Sequence, residues 1–223
     1  IRNGGTMSRS ETLFIDVDCA QKCKTGQQIC GDAFASKRIE EQERLIAVLS
    51  DGLGSGVKAN ILASMTATMA LKFVSADFNF TRAAEVIMNS LPICQVRKIS
   101  YATFSIADCT LEGRARIVEE GNPPFILLRD GIDFPTVPET IASKNFENRK
   151  MRVTEVRLQP EDRLIFYSDG VTQSGMGNPL HRFGWQREGL LSFVQDVVLK
   201  CPDISASKLA HAVVDAAARN EEA

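Results

Sequence analysis

The sequence has little of what marks several common protein classes. It contains two histidines and one tryptophan, and its charged residues, 24% of the chain, nearly balance to a net charge of −2. Proteins that bind nucleic acid through its phosphates are rich in positive charge, so this balance argues against a nucleic-acid partner. No run approaches the roughly 20 apolar residues that cross a bilayer, and no charged segment followed by an apolar stretch opens the chain. These absences predict a chain without a membrane segment and a cytoplasmic location.

Length and apolar content predict one domain. The chain has 223 residues, 44% of them hydrophobic, which is enough for a single substantial core. We expect residues 12–223 to form this domain. Residues 1–11, which contain Met7, are expected to be a leader, a linker or a remnant of cloning.

Cysteine is present at six positions: Cys19, Cys23, Cys30, Cys94, Cys109 and Cys201. Zinc is held by thiolates at short spacing, but the C-x3-C-x6-C spacing of the first three matches no common zinc pattern. Both histidines, His181 and His211, lie far from them in the sequence. Reduced structural thiols in a cytosolic protein are therefore the simpler interpretation.

Two short apolar segments end in the same tripeptide, Ser-Asp-Gly. Residues 45–49 lead into Asp51, and residues 164–167 lead into Asp169. A continuous apolar run closed by a turn signal is typical of a strand buried on both faces. An aspartate at the end of such a strand is held firmly while its carboxylate faces a cleft. Two carboxylates delivered in this way suit hard divalent cations, which prefer oxygen ligands.

Hydrophobic periodicity and turn residues predict an α+β architecture. Helices are expected at residues 57–74, 81–90, 186–199 and 205–219. Strands are expected at residues 12–18, 27–34, 45–49, 101–107, 115–120, 125–129, 153–158 and 164–167. The first two strands are expected to pair as a hairpin, and so are the last two. Helices that cover antiparallel sheets are the fold class that this order favours.

The first predicted helix follows a glycine-rich turn. Ile61, Met65 and Met69 have the spacing of one helical face, so we expect them to be buried. Ser55 is the expected N-cap of this helix, and Thr81 is that of the next one. Residues 54–56 form either a plain turn with a helix cap or a helix N-terminus that approaches a phosphate, and both interpretations stay open.

Four motifs occur in order along the chain. They are Gly31-Asp32, the SDGLGSG segment at 50–56, Gly121-Asn122-Pro123-Pro124, and residues 162–172 with the second Ser-Asp-Gly. Each is weak alone, but the ordered set resembles the bacterial SpoIIE-type branch of the PPM, or PP2C-like, metal-dependent protein phosphatases. The resemblance runs from about residue 12 to residue 218. It implies a four-layer α/β/β/α sandwich of two antiparallel sheets flanked by helices.

The resemblance implies a serine/threonine protein phosphatase in bacterial signalling. Asp51 and Asp169 would be its catalytic acids, and two divalent cations, Mn²⁺ or Mg²⁺, would be held by Asp32, Asp51, Asp169 and the Gly52 carbonyl. Two such ions about 3.5–4 Å apart clamp a phosphate and lower the pKa of a bridging water, so no covalent phosphoenzyme is expected.

The residues that surround these acids are given supporting roles. Ser50, Ser168 and Gly170 are expected to support the aspartates, and Asn122 is expected to shape a turn with the two prolines that follow it. Leu53 stands where eukaryotic relatives often carry a histidine, so no general acid is named.

The resemblance also implies partners. The expected substrate is a phosphorylated protein, such as an anti-anti-sigma (STAS) protein. In related phosphatases the two helices after the glycine turn pack against a second subunit, so we expect a homodimer through residues 57–74 and 81–90.

One departure leaves an alternative open. Family members carry another acidic pair on a last strand, whereas this sequence ends at residue 223 within or just after a helix. We therefore expect residues 12–223 to lack the final strand of the domain. Either the sequence ends before the last acidic pair, or this metal ligand is missing. A catalytically silent PP2C-like regulatory binding module stays an alternative to the enzyme.

A second enzyme class is suggested by Asp16 and Asp18. A hydrophobic strand that ends in Asp-x-Asp resembles the start of haloacid-dehalogenase-type phosphatases, which use an aspartate nucleophile. Cys19 does not fit the continuation of that motif, and the later lysine and acidic motifs are not evident. This alternative is disfavoured.

Overall fold

The computed structural model describes residues 12–23, 26–76, 79–91, 101–143, 149–179 and 181–222. Within them the strands are β1 Ala33–Ile39, β2 Arg44–Ser50, β3 Phe104–Thr110, β4 Arg114–Glu120, β5 Ile126–Arg129, β6 Ile132–Asp133, β7 Glu139–Ala142, β8 Lys150–Arg157 and β9 Arg163–Ile165. The helices are α1 Val57–Ser75, α2 Phe80–Ser90, α3 Asp169–Thr172, α4 Gln186–Lys200 and α5 Ala206–Glu222.

The larger sheet has six antiparallel strands in the order β1-β2-β3-β4-β8-β7. Its register places Ala33 opposite Ser50 and Leu49 opposite Ser105. Because β1 and β2 are antiparallel, the residue before Ala33 and the residue after Ser50 lie at the same edge of the sheet. That edge therefore receives Asp32 and Asp51 together.

The smaller sheet has three antiparallel strands in the order β6-β5-β9. The prediction that residues 153–158 and 164–167 pair with each other is wrong, because β8 pairs with β4 and β7 while β9 pairs with β5. Asp162, just before β9, binds the guanidinium of Arg129 in β5 through both carboxylate oxygens, at 2.9 and 2.6 Å. This partly buried ion pair fixes the chain beside β5 as it crosses between sheets.

Three clusters of apolar side chains hold these elements together. The first joins α1 and α2 to the larger sheet and includes Ile46, Ile87 and Phe104. The second lies between the two sheets and includes Ile117, Phe125 and Leu127. The third joins the smaller sheet to α4 and α5 and includes Ile126, Leu190 and Val213. The fold is thus α+β, with two antiparallel sheets and helices, as predicted.

The helix predictions are close to the observed bounds, but the predicted buried face of α1 is wrong. Ile61 and Met65 are 51% and 55% exposed. The buried side chains of α1 are mostly small: Ala59, Ala63, Thr66, Ala67, Ala70 and Val74. Small residues let the axis of α1 approach β1 and β2 closely, so the bulky residues at helical spacing point away.

Both predicted helix caps differ from the structure. The N-cap of α1 is Gly56 and carries no side-chain hydrogen bond, while Ser55 Oγ instead accepts a hydrogen bond from Gln27 Nε2 at 3.2 Å. The N-cap of α2 is Asn79, whose side chain accepts from the Arg82 N–H at 3.0 Å.

The segment 12–18 is not a strand, and residues 27–34 do not form a hairpin with it. Its backbone makes single contacts instead: Leu13 N–H donates to the Leu111 carbonyl, and the Ile15 carbonyl accepts from Arg38, both at 2.7 Å. Isolated hydrogen bonds to two different parts of the chain hold the segment, and it does not pair as a strand.

The structure pairs Cys23 with Cys30 in a disulfide, with Cα atoms 4.4 Å apart. The interpretation of the cysteines as reduced thiols is wrong for this pair. Cys19, Cys109 and Cys201 are free, and Cys94 lies outside the described residues. No helix among the described residues combines the length and apolar character needed to span a membrane.

Candidate metal centre

The three predicted acids come together from distant parts of the chain. Asp32 and Asp51 lie at one sheet edge through the β1–β2 register. Ser168 Oγ donates to Asp32 Oδ2 at 2.8 Å, which ties the end of β9 to the same place. Asp169 is the next residue after Ser168, and its charge and a hydrogen bond with it help to raise the pKa of the Asp51 carboxyl. The site is therefore assembled by two strand ends of one sheet and one of the other.

Asp51 lies at the centre of this group. Burial, then the charge of Asp32 and a hydrogen bond with it, and then the same two effects of Asp169, raise the pKa of Asp51 to about 8. Each of these influences disfavours the charged form of the carboxyl. A positive charge placed among the three acids would reverse the balance, because it would stabilise all three anions at once.

Gly52 is buried and directly follows Asp51. Any side chain at this position would collide with the backbone of Ala59 in the first turn of α1. Glycine is thus required for α1 to pack against the end of β2. A methyl group placed on Gly31 would lie 3.7 Å from the Gly52 carbonyl oxygen, so this carbonyl lies beside the residue that precedes Asp32.

Asp169 is the first residue of α3 and is exposed. Gln173 Nε2, four residues later, donates to Asp169 Oδ2 at 2.9 Å. Sequence reasoning missed Gln173, although the i, i+4 spacing is a signal for such a contact on a helix. Ser168 does support an aspartate, as predicted, but that aspartate is Asp32 and not its sequence neighbour.

The donor chemistry of this site suits a hard divalent cation, since carboxylates and a carbonyl are the oxygen ligands that Mg²⁺ and Mn²⁺ prefer. In the part of the chain that the structure describes, no three His, Cys, Asp or Glu side chains form a group ready to hold a metal ion. The acids instead contact one another in pairs through Asp51. The chemistry of these residues therefore suits a divalent cation, although in this structure the carboxyl groups contact one another.

Asp16 and Asp18 take no part in this group. Asp16 Oδ2 accepts a hydrogen bond from the Ala206 N–H at 2.9 Å, at the start of α5. Asp18 accepts from its own neighbour, the Cys19 N–H, at 2.8 Å, and from the side chain of Ser207. Their contacts are those of acids at a helix N-terminus, where carboxylates satisfy free N–H groups.

Comparisons with known proteins identify the family and the fold of the chain. The family model of Stage II sporulation protein E (SpoIIE) matches residues 41–223. Among curated proteins, no relative matches the chain.

Solved structures with the same fold include three of clear similarity. The RsbU and RsbW domains of a Mycobacterium tuberculosis protein are 19% identical, with a TM-score of 0.65 over 87% of this chain and 52% of that one. The phosphatase domain of SpoIIE from Bacillus subtilis is 17% identical, with a TM-score of 0.63 over 90% and 82%. RsbX in complex with magnesium is 23% identical, with a TM-score of 0.52 over 80% and 84%.

The chain thus spans about half of the mycobacterial structure and most of the other two. These likenesses establish the fold, and the family model covers more than three quarters of the sequence, including Asp51 and Asp169. The chain belongs to the SpoIIE family and is a SpoIIE-type, PP2C-like phosphatase domain.

Proposed function

We propose that this domain is a metal-dependent serine/threonine protein phosphatase that hydrolyses phosphoserine or phosphothreonine in bacterial signalling. The observation that supports this function best is the convergence of Asp32 and Asp169 on the half-buried carboxyl of Asp51. The two neighbouring acids raise the pKa of Asp51, so its charged form is unfavourable in the absence of a cation. Membership of the SpoIIE family supports the same reaction.

The proposed metal ligands are Asp32, Asp51, Asp169 and the Gly52 carbonyl, and Asp51 and Asp169 are the proposed catalytic acids. When bound, two Mg²⁺ or Mn²⁺ ions would neutralise the phosphoryl oxygens and supply an activated water as the nucleophile. The RsbX structure, named as a complex with magnesium, supports this choice of cation.

The protein's own contribution is orientation. Ser168 binds one oxygen of Asp32, and Gln173 binds one oxygen of Asp169. Each contact fixes how its carboxylate faces Asp51, and such outer contacts are part of how proteins tune metal ligands. Burial of Asp51 removes water that would otherwise weaken its electrostatic interactions.

The finer features of the fold and its partners belong to the same proposal. The three apolar clusters support a four-layer α/β/β/α order, and residues 12–223 are proposed to form one domain. A phosphorylated protein of the STAS type is the proposed substrate, and the SpoIIE relative, named a cell fate determinant, supports a signalling role. Exposed apolar residues on α1, among them Ile61 and Met65, support the proposed homodimer. The cytoplasmic location remains a prediction from the sequence.

The second candidate is a catalytically silent binding module of the same fold. One observation favours it: the described residues contain no ready group of three metal-binding side chains. A module of this kind would retain the fold and its protein partner but release no phosphate.

The test is phosphate release from a phosphoserine peptide with Mn²⁺ in the buffer. We expect the parent to be active and Asp51→Asn to lose activity on the order of 1000-fold. Asp130→Asn is the matched control, because Asp130 lies in an exposed turn and should behave as the parent. Equal activity of the parent and Asp51→Asn would refute the catalytic assignment, and an inactive but folded parent that binds its partner would favour the silent module.

A further inference from the structure

Asn122, in the Gly-Asn-Pro-Pro motif, is buried behind the end of β2, with 4% of its surface exposed. Thr103 Oγ1 donates a short hydrogen bond to its Oδ1, and its Nδ2 donates to Ser105 Oγ at 2.9 Å. Thr103 and Ser105 are two residues apart in extended chain, so their side chains share a face. The amide of Asn122 therefore bridges two successive side chains on one face at the start of β3.

Thr103 is also the residue that holds the backbone of Asp51. Regular pairing of β2 with β3 ends at Leu49 and Ser105. Beyond that point the Thr103 N–H donates to the Asp51 carbonyl at 2.8 Å, and Ser50 Oγ donates to the Thr103 carbonyl at 2.7 Å. The Thr103 backbone thus fixes both residues at the end of β2.

The two contacts of Thr103 use different parts of the residue. Its hydroxyl lies 3.5 Å from the Asp51 carbonyl oxygen but much closer to Asn122. Because a hydroxyl has one proton to donate, the side chain serves Asn122 while the backbone N–H serves Asp51. Thr103 therefore links the amide of Asn122 to the main chain of Asp51.

The position of Asn122 is itself closely determined. Gly121 has a φ of +80°, and a side chain there would collide with the methyl group of Thr103. The Asn122 carbonyl accepts from Arg152 Nη2 at 2.8 Å, and Arg152 pairs with Glu119 at 3.2 Å. A glycine is needed so that the turn can approach Thr103, and the arginine holds the turn in place.

We infer that Asn122 is a positioning residue that acts through Thr103 on the Asp51–Gly52 backbone. The inference rests on the proposed metal-binding function of Asp51. Because both ends of the buried Asn122 amide are hydrogen-bonded, the backbone at Thr103 is held rigidly. The hydrogen bond from Thr103 to Asp51 then restricts the position of the Asp51 carboxylate and the Gly52 carbonyl. Asn122 thus has a role beyond shaping the turn predicted from its sequence.

The first test needs no metal. Hydrogen exchange is measured by NMR at the amide of residue 103, bonded to Asp51, and at the amide of Leu53, bonded to the Tyr101 carbonyl. Asn122→Ala removes the bridge, whereas Thr103→Val removes the hydroxyl but keeps the shape and the N–H. Both should speed exchange about fivefold or more after correction for intrinsic rates.

Two variants serve as controls. Thr103→Ser keeps the hydroxyl, so its exchange should stay near that of the parent. Thr154→Val removes the hydroxyl of a buried threonine, 3% exposed, in β8 of the same sheet. Its loss of stability, followed by thermal melting, gives the reference for a purely structural effect.

The second test is calorimetric titration with Mn²⁺. Asn122→Ala and Thr103→Val should weaken Mn²⁺ binding about 10-fold, while Thr103→Ser and Thr154→Val should change it less than about twofold. A loss as large in Thr154→Val as in Asn122→Ala would mean a general structural effect and would overturn the inference. So would unchanged exchange at residues 103 and 53 in Asn122→Ala.

The two proposals fail in different ways. If the parent binds no Mn²⁺ and releases no phosphate, the proposed function fails, and with it the link from Asn122 to a metal. The exchange data would still decide whether Asn122 holds the Asp51 backbone. If the parent binds Mn²⁺ and Asn122→Ala binds it equally well, only the positioning role is refuted.

Discussion

The two Ser-Asp-Gly segments have the same sequence but different surroundings. After β2, Asp51 is half-buried, and its carbonyl accepts a hydrogen bond from the N–H of Thr103, just before β3. After β9, Asp169 opens a one-turn helix, is exposed, and is held by Gln173, the C-cap residue of that helix. The first segment is fixed by the sheet and the second mainly by its own helix. The same tripeptide therefore supplies a central acid in one place and a peripheral acid in the other.

The two serines differ in the same way. Ser50 Oγ donates to the Thr103 carbonyl, which is a backbone group of the adjoining strand. Ser168 Oγ donates to the carboxylate of Asp32, 136 residues away in sequence. One serine stabilises the strand end, and the other orients a proposed ligand.

The largest expected effect comes from replacing the two aspartates separately. Asp51→Asn should lower kcat/KM on a phosphoserine peptide on the order of 1000-fold, and Asp169→Asn about 10- to 100-fold. The difference is expected because Asp51 contacts both other acids, whereas Asp169 lies at the edge. Equal losses in steady-state kinetics at saturating Mn²⁺ would abolish the distinction between central and peripheral acid.

The same two substitutions, which should lower activity, should raise the stability of the metal-free protein. The pKa of Asp51 in the folded protein is raised from 3.8 to about 8. Its protonated form favours the fold, so the stability that it contributes is full below about pH 4 and lost as the pH rises through about 8. With EDTA present, Asp51→Asn should therefore be more stable than the parent at pH 9, by about 1–3 kcal/mol.

Urea denaturation at pH 4 and pH 9 checks this result. The gain should nearly vanish at pH 4, because Asp51 is neutral in the folded protein and close to half protonated in the unfolded chain, whose pKa is 3.8. Asp169→Asn should give a smaller gain at pH 9. A parent that is as stable at pH 9 as Asp51→Asn would show that the acids do not repel one another.

The serines give a smaller and separable pair of effects. Ser168→Ala should weaken Mn²⁺ binding about 10-fold, because Asp32 loses its orienting donor. Ser50→Ala should instead lower the free energy of unfolding by about 1 kcal/mol, because the buried Thr103 carbonyl loses a hydrogen bond. Calorimetry and urea denaturation of both variants separate the two roles. Weaker Mn²⁺ binding in Ser50→Ala together with a loss of stability alone in Ser168→Ala would contradict both roles.

Gln173→Ala should have the smallest effect. Its bond to Asp169 is exposed, so water can replace it, and we expect Mn²⁺ binding to weaken by no more than about threefold. Gln173→Glu is the informative companion, because it places a carboxylate where the amide donor was. If Gln173→Ala weakened binding as much as Ser168→Ala, the exposed acid would be as closely oriented as Asp32.

Local sequence signals predicted the elements well and their partners less well. The bounds of α1 were predicted within one residue, because a glycine-rich turn and a long periodic segment are local features. The partner of β9 was not, since the contact that fixes it joins Arg129 to Asp162, which are 33 residues apart. A turn signal at residues 159–162 does not say whether the chain returns to the same sheet or crosses to the other.

The candidate site shows the same limit. Asp51 and Asp169 could be singled out because each follows an apolar strand, and Asp32 because of its place in the ordered motifs. Thr103 carries no motif, and its role depends on which residues lie opposite it. Gln173 carries only its i, i+4 spacing from Asp169, which is a weak signal. The exposed face of α1 was missed because Ile61 and Met65 have the spacing of a core face, while the alanines that are buried give a weaker hydrophobic signal.

The approach of Asp32 to Asp51 depends on the register of β1 against β2, in which Ala33 pairs with Ser50. Side chains alternate between the faces of a strand, so sliding β1 by one position would send Asp32 to the opposite side of the sheet. Inserting or deleting a single residue within β1 should therefore disable the centre even in a protein that still folds. Length changes should be tolerated better at the 3-10 turn Glu40–Gln42, which lies beyond the far end of the same strand.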